Sequence, residues 1–196
     1  GRPWTYSSAR PHGVSGFAWG NPSNLVMVLA LYAVISRELG EPLCHPGTAG
    51  NLKALYQCTD ADLLARAIVW MSTSPQCANE AFNITNGELI RWENVWPAIA
   101  RYWKMAPGPR RQRSLVKDMA DKGAVWDRLV ARHGLQPYSY EDIVKWGYGD
   151  FVFGPEYDII SSTTKVRQFG FHEVVDTESM FFRLWDAMKA ERILPP

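Results

Sequence analysis

The sequence has no excess of either charge. Its 196 residues include 21 Lys and Arg against 20 Asp and Glu, which leaves a formal net charge of +1. A short basic cluster at residues 110–113 has few charges and no interleaved aromatic residues, which is typical of a solvated loop. The composition therefore favours neither a nucleic acid nor an anionic membrane as a partner.

Cysteine is scarce. Cys44, Cys58 and Cys77 are an odd number and form no C-x-x-C pair, so they do not suit a disulfide scaffold. We predict a reducing compartment and a cytoplasmic location. No apolar segment follows the first residues as it would in a signal peptide. The chain does not begin with Met and enters a predicted core strand almost at once, so we expect it to be the later part of a longer protein.

Long hydrophobic runs are missing too. The apolar run at residues 25–35 is shorter than the roughly 20 residues that a membrane span needs. It predicts a buried helix over residues 24–39, with capping residues at 21–24 and a stop at Gly40. A helix that is apolar all round needs cover on most sides. If part of the protein is absent, we expect this helix to expose its sheet-facing surface, which makes a homodimer possible.

Motifs for catalysis are missing as well. No Gly-x-Gly-x-x-Gly, no Gly-x-Ser-x-Gly and no Tyr followed four residues later by Lys occurs. The histidines lie on separate predicted elements without an i, i+4 pair, which disfavours a metal site: His12, His45, His133 and His172. We therefore predict no catalytic residue and no metal ligand in this chain.

A candidate ligand loop lies near the start of the chain. Residues 5–9 are small and β-tolerant and predict a buried strand, whose pairing should end at Pro11. Gly13, Gly16 and Gly20 follow and allow the backbone to approach a ligand closely. In open α/β sheets, ligands bind just past the carboxyl ends of strands. The sequence therefore predicts that this loop is one wall of a ligand site.

Further along the chain, strands and helices are mixed. Thr59 or Asp60 should cap a helix, and the aromatic stripe from Trp92 to Trp103 predicts a helix with a packed core face. Thr177 should cap the last helix. The other predicted strands cover residues 41–44, 55–58, 81–85 and 151–153, and the other predicted helical segments cover residues 115–133 and 141–146 and begin at residue 162.

Five segments together carry a family resemblance. They are Ala-Arg-Pro-His-Gly-Val-Ser-Gly-Phe at 9–17, Asn-Leu-Val at 24–26, Tyr-Ala-Val-Ile at 32–35, Cys-Thr-Asp-Ala-Asp-Leu at 58–63 and Asn-Glu-Ala-Phe-Asn-Ile-Thr-Asn-Gly at 79–87. In this order they resemble the progesterone 5β-reductase and iridoid synthase family of extended short-chain dehydrogenases. The likeness continues in register to the terminal Pro, so it covers nearly the whole chain.

The resemblance implies an α/β fold, namely the C-terminal portion of an extended Rossmann-type short-chain dehydrogenase with a mainly helical substrate-binding lobe. Residues 1–90 would be the remainder of the dinucleotide-binding domain with some segments of the substrate lobe, and residues 91–196 would be the mainly helical lobe. The glycine-rich turn and the catalytic Tyr and Lys would lie in a missing N-terminal half. The family reduces the C=C bond of enones with hydride from NADPH. This chain alone would then be inactive.

The resemblance also assigns site residues. Pro11 and Val14 match the loop beside the nicotinamide, and Asn21, Pro22 and Ser23 match the segment on the phosphate and ribose side of the cofactor. Plant members have Ser-Met-Met at 21–23, and they have Gly where His12 stands, so these contacts depart from the pattern. Trp146, Gly147 and Tyr148 match an aromatic wall of the substrate pocket.

Charge near the proposed site separates the alternatives. An epimerase or dehydratase acting on a nucleotide sugar must neutralise a diphosphate with Arg or Lys. Loops 12–23 and 146–153 contain neither, which favours a small apolar carbonyl or enone substrate. The nucleotide-sugar enzyme remains the alternative, together with a binding module that has no catalytic activity.

Overall fold

The computed structural model describes residues 4–196. Its strands are β1 (Ser8–Pro11), β2 (Val14–Ser15), β3 (Leu55–Tyr56), β4 (Thr59–Asp60), β5 (Ala81–Ile84) and β6 (Ile90–Arg91). The longer helices are α1 (Leu25–Glu38), α3 (Ala61–Thr73), α4 (Trp92–Tyr102), α6 (Gly123–His133), α8 (Trp146–Phe153) and α10 (Thr177–Ala190). The shorter helices are α2 (Ala49–Lys53), α5 (Leu115–Asp118), α7 (Tyr140–Ile143) and α9 (Thr164–Gln168).

β1 and β5 form a parallel pair, in which Ser8 lies opposite Ala81 and Pro11 lies opposite Ile84. Parallel strands need a long crossover connection. The connection from β1 to β5 includes α3, which packs against β1. As predicted, the pairing ends at Pro11. This α/β part has its own apolar cluster, whose fully or nearly fully buried members are Leu63, Ala67, Met71, Cys77, Phe82, Ile84, Val166 and Phe171.

Two smaller strand pairs hold the loops around this unit. β2 runs parallel to β4, with Val14 opposite Thr59. β3 runs antiparallel to β6, with Tyr56 opposite Ile90. The chain after β1 is thereby fixed beside the start of α3, where Asp60 caps the helix by accepting from the amides of Asp62 and Leu63.

The helical part packs around α1. Asn24 caps this helix by accepting from the amide of Met27, and Gly40 adopts a left-handed conformation just after it, as the sequence predicted. Its residues from Leu25 to Ser36 are all buried, and α6, α8 and α10 contact it. The expectation that α1 exposes a sheet-facing surface is therefore wrong, because helices of this same chain cover it.

Tryptophan fills much of the helical core. Trp92 and Trp96 of α4 are buried, and Trp103 follows the helix without any exposed surface, so the core assignment of the aromatic stripe is confirmed. Trp126 of α6 and Trp185 of α10 are also fully buried. Their indole N–H groups donate to the carbonyl oxygens of Tyr138 and Val26 at 2.9 and 3.0 Å.

The first strand differs from its prediction. It begins at Ser8 rather than at residue 5, and Thr5 and Tyr6 are exposed. β1 itself is only half-buried or exposed, because within residues 4–196 it pairs with β5 alone. A strand that has a partner on one edge and little cover on its faces remains accessible.

Two predicted segments in the C-terminal half of the chain differ from the structure, one in type and one in continuity. Residues 151–153 were expected as a strand but complete α8, in which Gly147 and Gly149 do not end the helix. Because Gly149 has no Cβ, α8 can pack closely against Leu115 and Val28, and this packing accompanies the helical conformation. The helix expected over residues 115–133 is split into α5 and α6.

Other predictions were wrong by smaller margins. Residues 41–44 contribute only an isolated bridge between Leu43 and Pro107, and Asp176 rather than Thr177 caps α10. Gly134 ends α6 in a left-handed conformation, as expected. In the described part of the chain, no helix combines the length and the apolar character needed to cross a membrane.

Candidate functional site

A cavity of about 330 Å³ lies between the loop after β2, the start of α1 and the start of α3. It is lined by four of the eight site residues that the resemblance assigned, namely Val14, Asn21, Ser23 and Tyr148. Its remaining lining residues are Gly13, Gly16, Phe17, Ala18, Asn24 and Ala61. None of these ten residues carries a charged side chain.

The position of the loop follows from hydrogen bonds at its base. The hydroxyl of Thr59 accepts from the amide of His12 at 3.0 Å and donates to the carbonyl of Ile84 at 2.9 Å. The carbonyl of Gly13 accepts from the amide of Thr59. One threonine therefore connects the loop to the carboxyl end of β5, which is where α/β sheets bind ligands.

Gly16 lets the loop approach α3. A Cβ at this position would lie 2.9 Å from the Cβ of Ala61, closer than carbon atoms pack. Phe17 and Trp19 then turn outward, and both contact the ring of Tyr138 at centroid distances of 6.2 and 6.3 Å. Trp19 is 63% exposed. The loop thus carries an exposed aromatic rim.

Asn24 places a polar group at the buried end of the cavity. Its Oδ1 accepts from the amide of Met27, whereas its Nδ2 is buried and has no hydrogen-bond partner within residues 4–196. The side chain lines the cavity at the N-terminus of α1, where free amides also point outward. An uncharged oxygen of a ligand would satisfy this donor.

Burial sets the protonation states around the cavity. It lowers the pKa of His12, whose Nε2 lies 2.8 Å from the Ser161 hydroxyl, so the imidazole is neutral at physiological pH. Burial raises the pKa of Tyr148, and the neighbouring Cys58 raises it further. Burial also raises the pKa of Cys58 to about 12, which keeps the thiol protonated and unreactive.

The structure separates the remaining candidate residues from the cavity. Pro11 and Pro22 are exposed and do not line it. Trp146 is buried in the helical core, where its Nε1 donates to the hydroxyl of Tyr140 at 2.9 Å. Gly147 is exposed on α8, and its nearest side-chain neighbour is Val116.

Sequence reasoning missed Tyr56 and Ala61. Tyr56 ends β3 and lies 3.2 Å, through its hydroxyl, from the position of a Cβ on Gly13. It is separated from Gly13 and Tyr148 by long stretches of chain, and no local pattern marks it. The strand pairings bring Tyr56 to Gly13, and the packing of α8 brings Tyr148 there.

A second and larger groove of about 570 Å³ runs between the segment before β1 and the C-terminal end of α3. Tyr6, Ile68 and Met71 line it together with small polar residues. Tyr6 and Ile68 are 62% and 49% exposed, and the neighbouring Val69 is 61% exposed. The side chains that line this groove are apolar or carry only a hydroxyl group, and none is a carboxylate, an imidazole, a thiol or an amine.

The fold is of the Rossmann class. The UDP-glucose 4-epimerase of Thermus thermophilus, solved with NAD, superposes with a TM-score of 0.52 at 17% identity, over 94% of this chain and 47% of the epimerase. An epimerase from Methanothermobacter thermautotrophicus gives a TM-score of 0.54 at 15% identity, over 95% of this chain and 46% of the epimerase. At such low identities these likenesses establish the α/β fold class, as predicted.

The chain belongs to the PRISE-like Rossmann-fold domain family, whose model matches residues 1–195. It is 34% identical over 194 residues to the (S)-8-oxocitronellyl enol synthase of Nepeta cataria, covering 97% of this chain and 50% of that enzyme. It is 30% identical over 194 residues to the 3-oxo-Δ(4,5)-steroid 5β-reductase of Arabidopsis thaliana, with the same coverage. The chain thus spans about half the length of these relatives, and the family predicted from the sequence is confirmed.

Proposed function

We propose that the chain is the C-terminal part of an oxidoreductase that reduces the C=C bond of an enone. The observation that carries this proposal is the cavity beside Gly13, which is lined by apolar and uncharged polar groups without any Lys or Arg. Such a lining suits a small apolar carbonyl compound and leaves a diphosphate without partners. The names of the 34% and 30% identical relatives point to the same substrate class.

NADPH is the proposed cofactor and supplies the hydride when it is bound. The residues present fit one wall of its site. Gly13 and Gly16 leave the backbone open at the loop, and the unpaired Nδ2 of buried Asn24 offers a donor. Val14 would lie beside the nicotinamide, with Asn21 and Ser23 further along. Pro11 and Pro22 would contribute backbone groups at the edges of this wall.

Substrate would bind against Tyr148 and the aromatic rim formed by Phe17, Trp19 and Tyr138. Tyr148 stacks on Phe151 at a centroid distance of 5.9 Å, which extends this apolar surface. Trp146 supports the wall from the core, and Gly147 lies at its outer edge. Residues 91–196 would form this mainly helical substrate lobe, and residues 1–90 would mostly complete the dinucleotide-binding domain.

The catalytic groups and the rest of the dinucleotide site would lie in a further half of the same protein. β1 supports this proposal, because one of its edges has no strand partner within the described residues. The exposed groove beside α3 offers an apolar surface for the same half. We expect the chain by itself to bind NADPH weakly or not at all. A cytoplasmic location, consistent with three free cysteines, stays a prediction.

The test is an activity assay on the full-length gene product that contains this chain. NADPH oxidation is followed with small enones, and the product is identified by NMR as the saturated carbonyl compound. Epimerisation of a nucleotide sugar without any enone turnover would favour the alternative enzyme. A protein that binds no pyridine nucleotide and turns over neither substrate would be a binding module.

A matched pair of variants tests the cofactor side. Asn21→Asp keeps the side-chain oxygen that accepts from the amide of Ser23 at 2.8 Å, but adds a negative charge. If Asn21 lies near a cofactor phosphate, the Kd for NADPH should rise by roughly threefold to tenfold. Asn94→Asp adds the same charge at an exposed site on α4 and should leave the Kd unchanged. Equal affinities of both variants would remove Asn21 from the cofactor site.

A further inference from the structure

Thr59 holds the turn between β1 and β2 at two main-chain groups. Its hydroxyl accepts from the amide of His12 at 3.0 Å, and its own amide donates to the carbonyl of Gly13 at 3.2 Å. Thr59 is fully buried, whereas His12 and Gly13 are half-buried and Gly13 lines the cavity. One interior residue therefore holds both residues of a turn that borders the cavity.

The orientation of the Thr59 hydroxyl follows from its second partner. This hydroxyl donates to the carbonyl of Ile84, at the end of β5, over 2.9 Å. A hydroxyl has a single proton to donate, so only its lone pairs are left for the amide of His12. The β-branched side chain of Thr59 also has few rotamers available. The position of the turn relative to the end of β5 is therefore set by this one side chain.

A second contact of the same turn involves groups that are closer to solvent. Nε2 of His12 lies 2.8 Å from the hydroxyl of Ser161, and both residues are half-buried. Water can replace a hydrogen bond between partly exposed groups at little cost. The hydroxyl of Thr59 is buried together with Ile84, so its loss would leave the carbonyl of Ile84 without a donor. The contact at Thr59 is therefore the stronger constraint on the turn.

We propose that Thr59 is a positioning residue for the cofactor wall. Its hydroxyl holds Gly13 and Val14 where the proposed NADPH would contact them, although Thr59 itself does not line the cavity. A turn that is held in place before the ligand arrives loses less freedom on binding, so the ligand binds more tightly. This inference rests on the proposed function and adds a residue that acts on affinity only through the loop.

Three variants separate the hydroxyl of Thr59 from its bulk. Thr59→Val keeps the branched shape but removes the partner of the His12 amide and of the Ile84 carbonyl. Thr59→Ser keeps the hydroxyl and loses a methyl group. The matched control is Thr85→Val, because Thr85 is also buried and its hydroxyl accepts from the amide of Gly87 at 3.2 Å, outside the cavity lining.

Hydrogen–deuterium exchange of the full-length gene product without ligand tests whether the turn depends on this hydroxyl. In Thr59→Val the amides of residues 12–17 should exchange roughly fivefold to tenfold faster than in the wild type, because the turn opens more often. In Thr59→Ser and Thr85→Val these amides should exchange at the wild-type rate. The measurement requires no cofactor and no activity.

Calorimetry with NADPH on the same proteins tests the effect on the ligand. Thr59→Val should raise the Kd for NADPH roughly threefold to tenfold, whereas Thr59→Ser and Thr85→Val should leave it unchanged. An unchanged Kd in Thr59→Val would overturn the inference, and so would an equal rise in Thr85→Val. Thermal unfolding shows whether each variant is folded. If Thr59→Val does not fold, Thr59→Ala replaces it in both measurements, because water can enter the space that alanine leaves.

The two proposals fail in different ways. If the wild type binds NADPH but neither the exchange rates nor the Kd respond to Thr59→Val, the positioning role is refuted and the proposed function stands. If the wild type binds no NADPH while the exchange of the turn depends on the Thr59 hydroxyl, the proposed cofactor is refuted and the role of Thr59 in holding the turn stands.

Discussion

His45 is a buried imidazole held between aromatic rings. It is 2% exposed, its Nδ1 accepts from the amide of Gly47, and its Nε2 has no partner within residues 4–196. Trp96 and Phe153 present their rings to it at centroid distances of 4.8 and 5.3 Å. Burial, with a smaller contribution from Arg110, lowers the pKa of His45 to about 4. The neutral ring is therefore part of the core.

This shift predicts a loss of stability in mild acid. In the unfolded chain the histidine binds a proton below about pH 6.5, whereas in the folded chain it does so only near pH 4. The free energy of unfolding should thus fall as the pH drops from 6.5 towards 4, approaching about 1.4 kcal/mol per pH unit from this residue. Urea unfolding between pH 7.5 and 4.5 measures the slope.

Two variants test whether His45 causes this acid response, one at His45 itself and one at a control histidine. His45→Phe should be less stable at neutral pH, because Gly47 loses its acceptor, but it should have a shallower slope in acid. His172→Gln changes an exposed histidine and should keep the slope of the wild type. Identical slopes for wild type and His45→Phe would show that another group governs the acid response.

At the scale of elements, α8 shows how one helix uses two glycines differently. A Cβ on Gly149 would lie 2.6 Å from Cδ1 of Leu115 in α5 and 2.9 Å from Cγ1 of Val28 in α1. Gly149 therefore permits the close crossing of three helices. A Cβ on Gly147 would meet only Val116, at 4.0 Å. The two positions are a matched pair within one helix.

Alanine at the two positions should have opposite effects. Gly149→Ala overpacks the crossing and should lower the free energy of unfolding by about 1–3 kcal/mol. Gly147→Ala improves helix propensity without a clash and should raise it by up to about 1 kcal/mol. Chemical denaturation of both variants checks the signs. A neutral Gly149→Ala would mean that α1 and α5 move apart easily.

On the scale of the whole molecule, two apolar cores are joined by a few buried polar residues. Asn86 is fully buried, and its side chain accepts from the amide of Asp60 at 2.6 Å and donates to the hydroxyl of Thr177 at 3.2 Å. The α/β unit and the last helix are thereby connected. The groove of about 570 Å³ beside α3, which Tyr6 and Ile68 line, belongs to the α/β unit.

If a further half of the protein covers this groove, a charged side chain placed in the groove should destabilise the full-length protein. It should have little effect on residues 1–196 alone, where the groove stays open to water. In the full-length product, Ile68→Lys should lower the free energy of unfolding by about 2 kcal/mol or more, because a cation is buried. In residues 1–196 expressed alone it should change stability by less than about 0.5 kcal/mol. Thermal and urea unfolding of both forms measure the difference.

Leu89→Lys is the matched control, since Leu89 is 49% exposed like Ile68 but lies outside the groove. It should change stability little in either form. Equal effects of Ile68→Lys and Leu89→Lys in the full-length product would mean that the groove stays open to solvent. The homodimer expected through α1 has lost its basis, because α1 is covered within the chain.

Local patterns were sufficient for much of the fold. Asn24, from the predicted capping segment 21–24, and Asp60, one of the two predicted candidates with Thr59, cap their helices, and Gly134 ends α6 as predicted. Capping depends on only a few neighbouring residues. The resemblance of short motifs indicated the family, which the match over residues 1–195 confirms. Short apolar segments were less predictable. Residues 151–153 fit a strand equally well until α1 and α5 provide the surface on which they pack as a helix.

The sequence by itself determined the fold class, the buried helix α1 and the loop at Gly13. Only the tertiary structure decided what surrounds that loop. The register of β2 with β4 and of β3 with β6 brings Tyr56 to Gly13, and the packing of α8 brings Tyr148. These contacts join residues that are far apart in the chain. Contacts between distant residues produce no periodic pattern in the sequence from which they could be predicted.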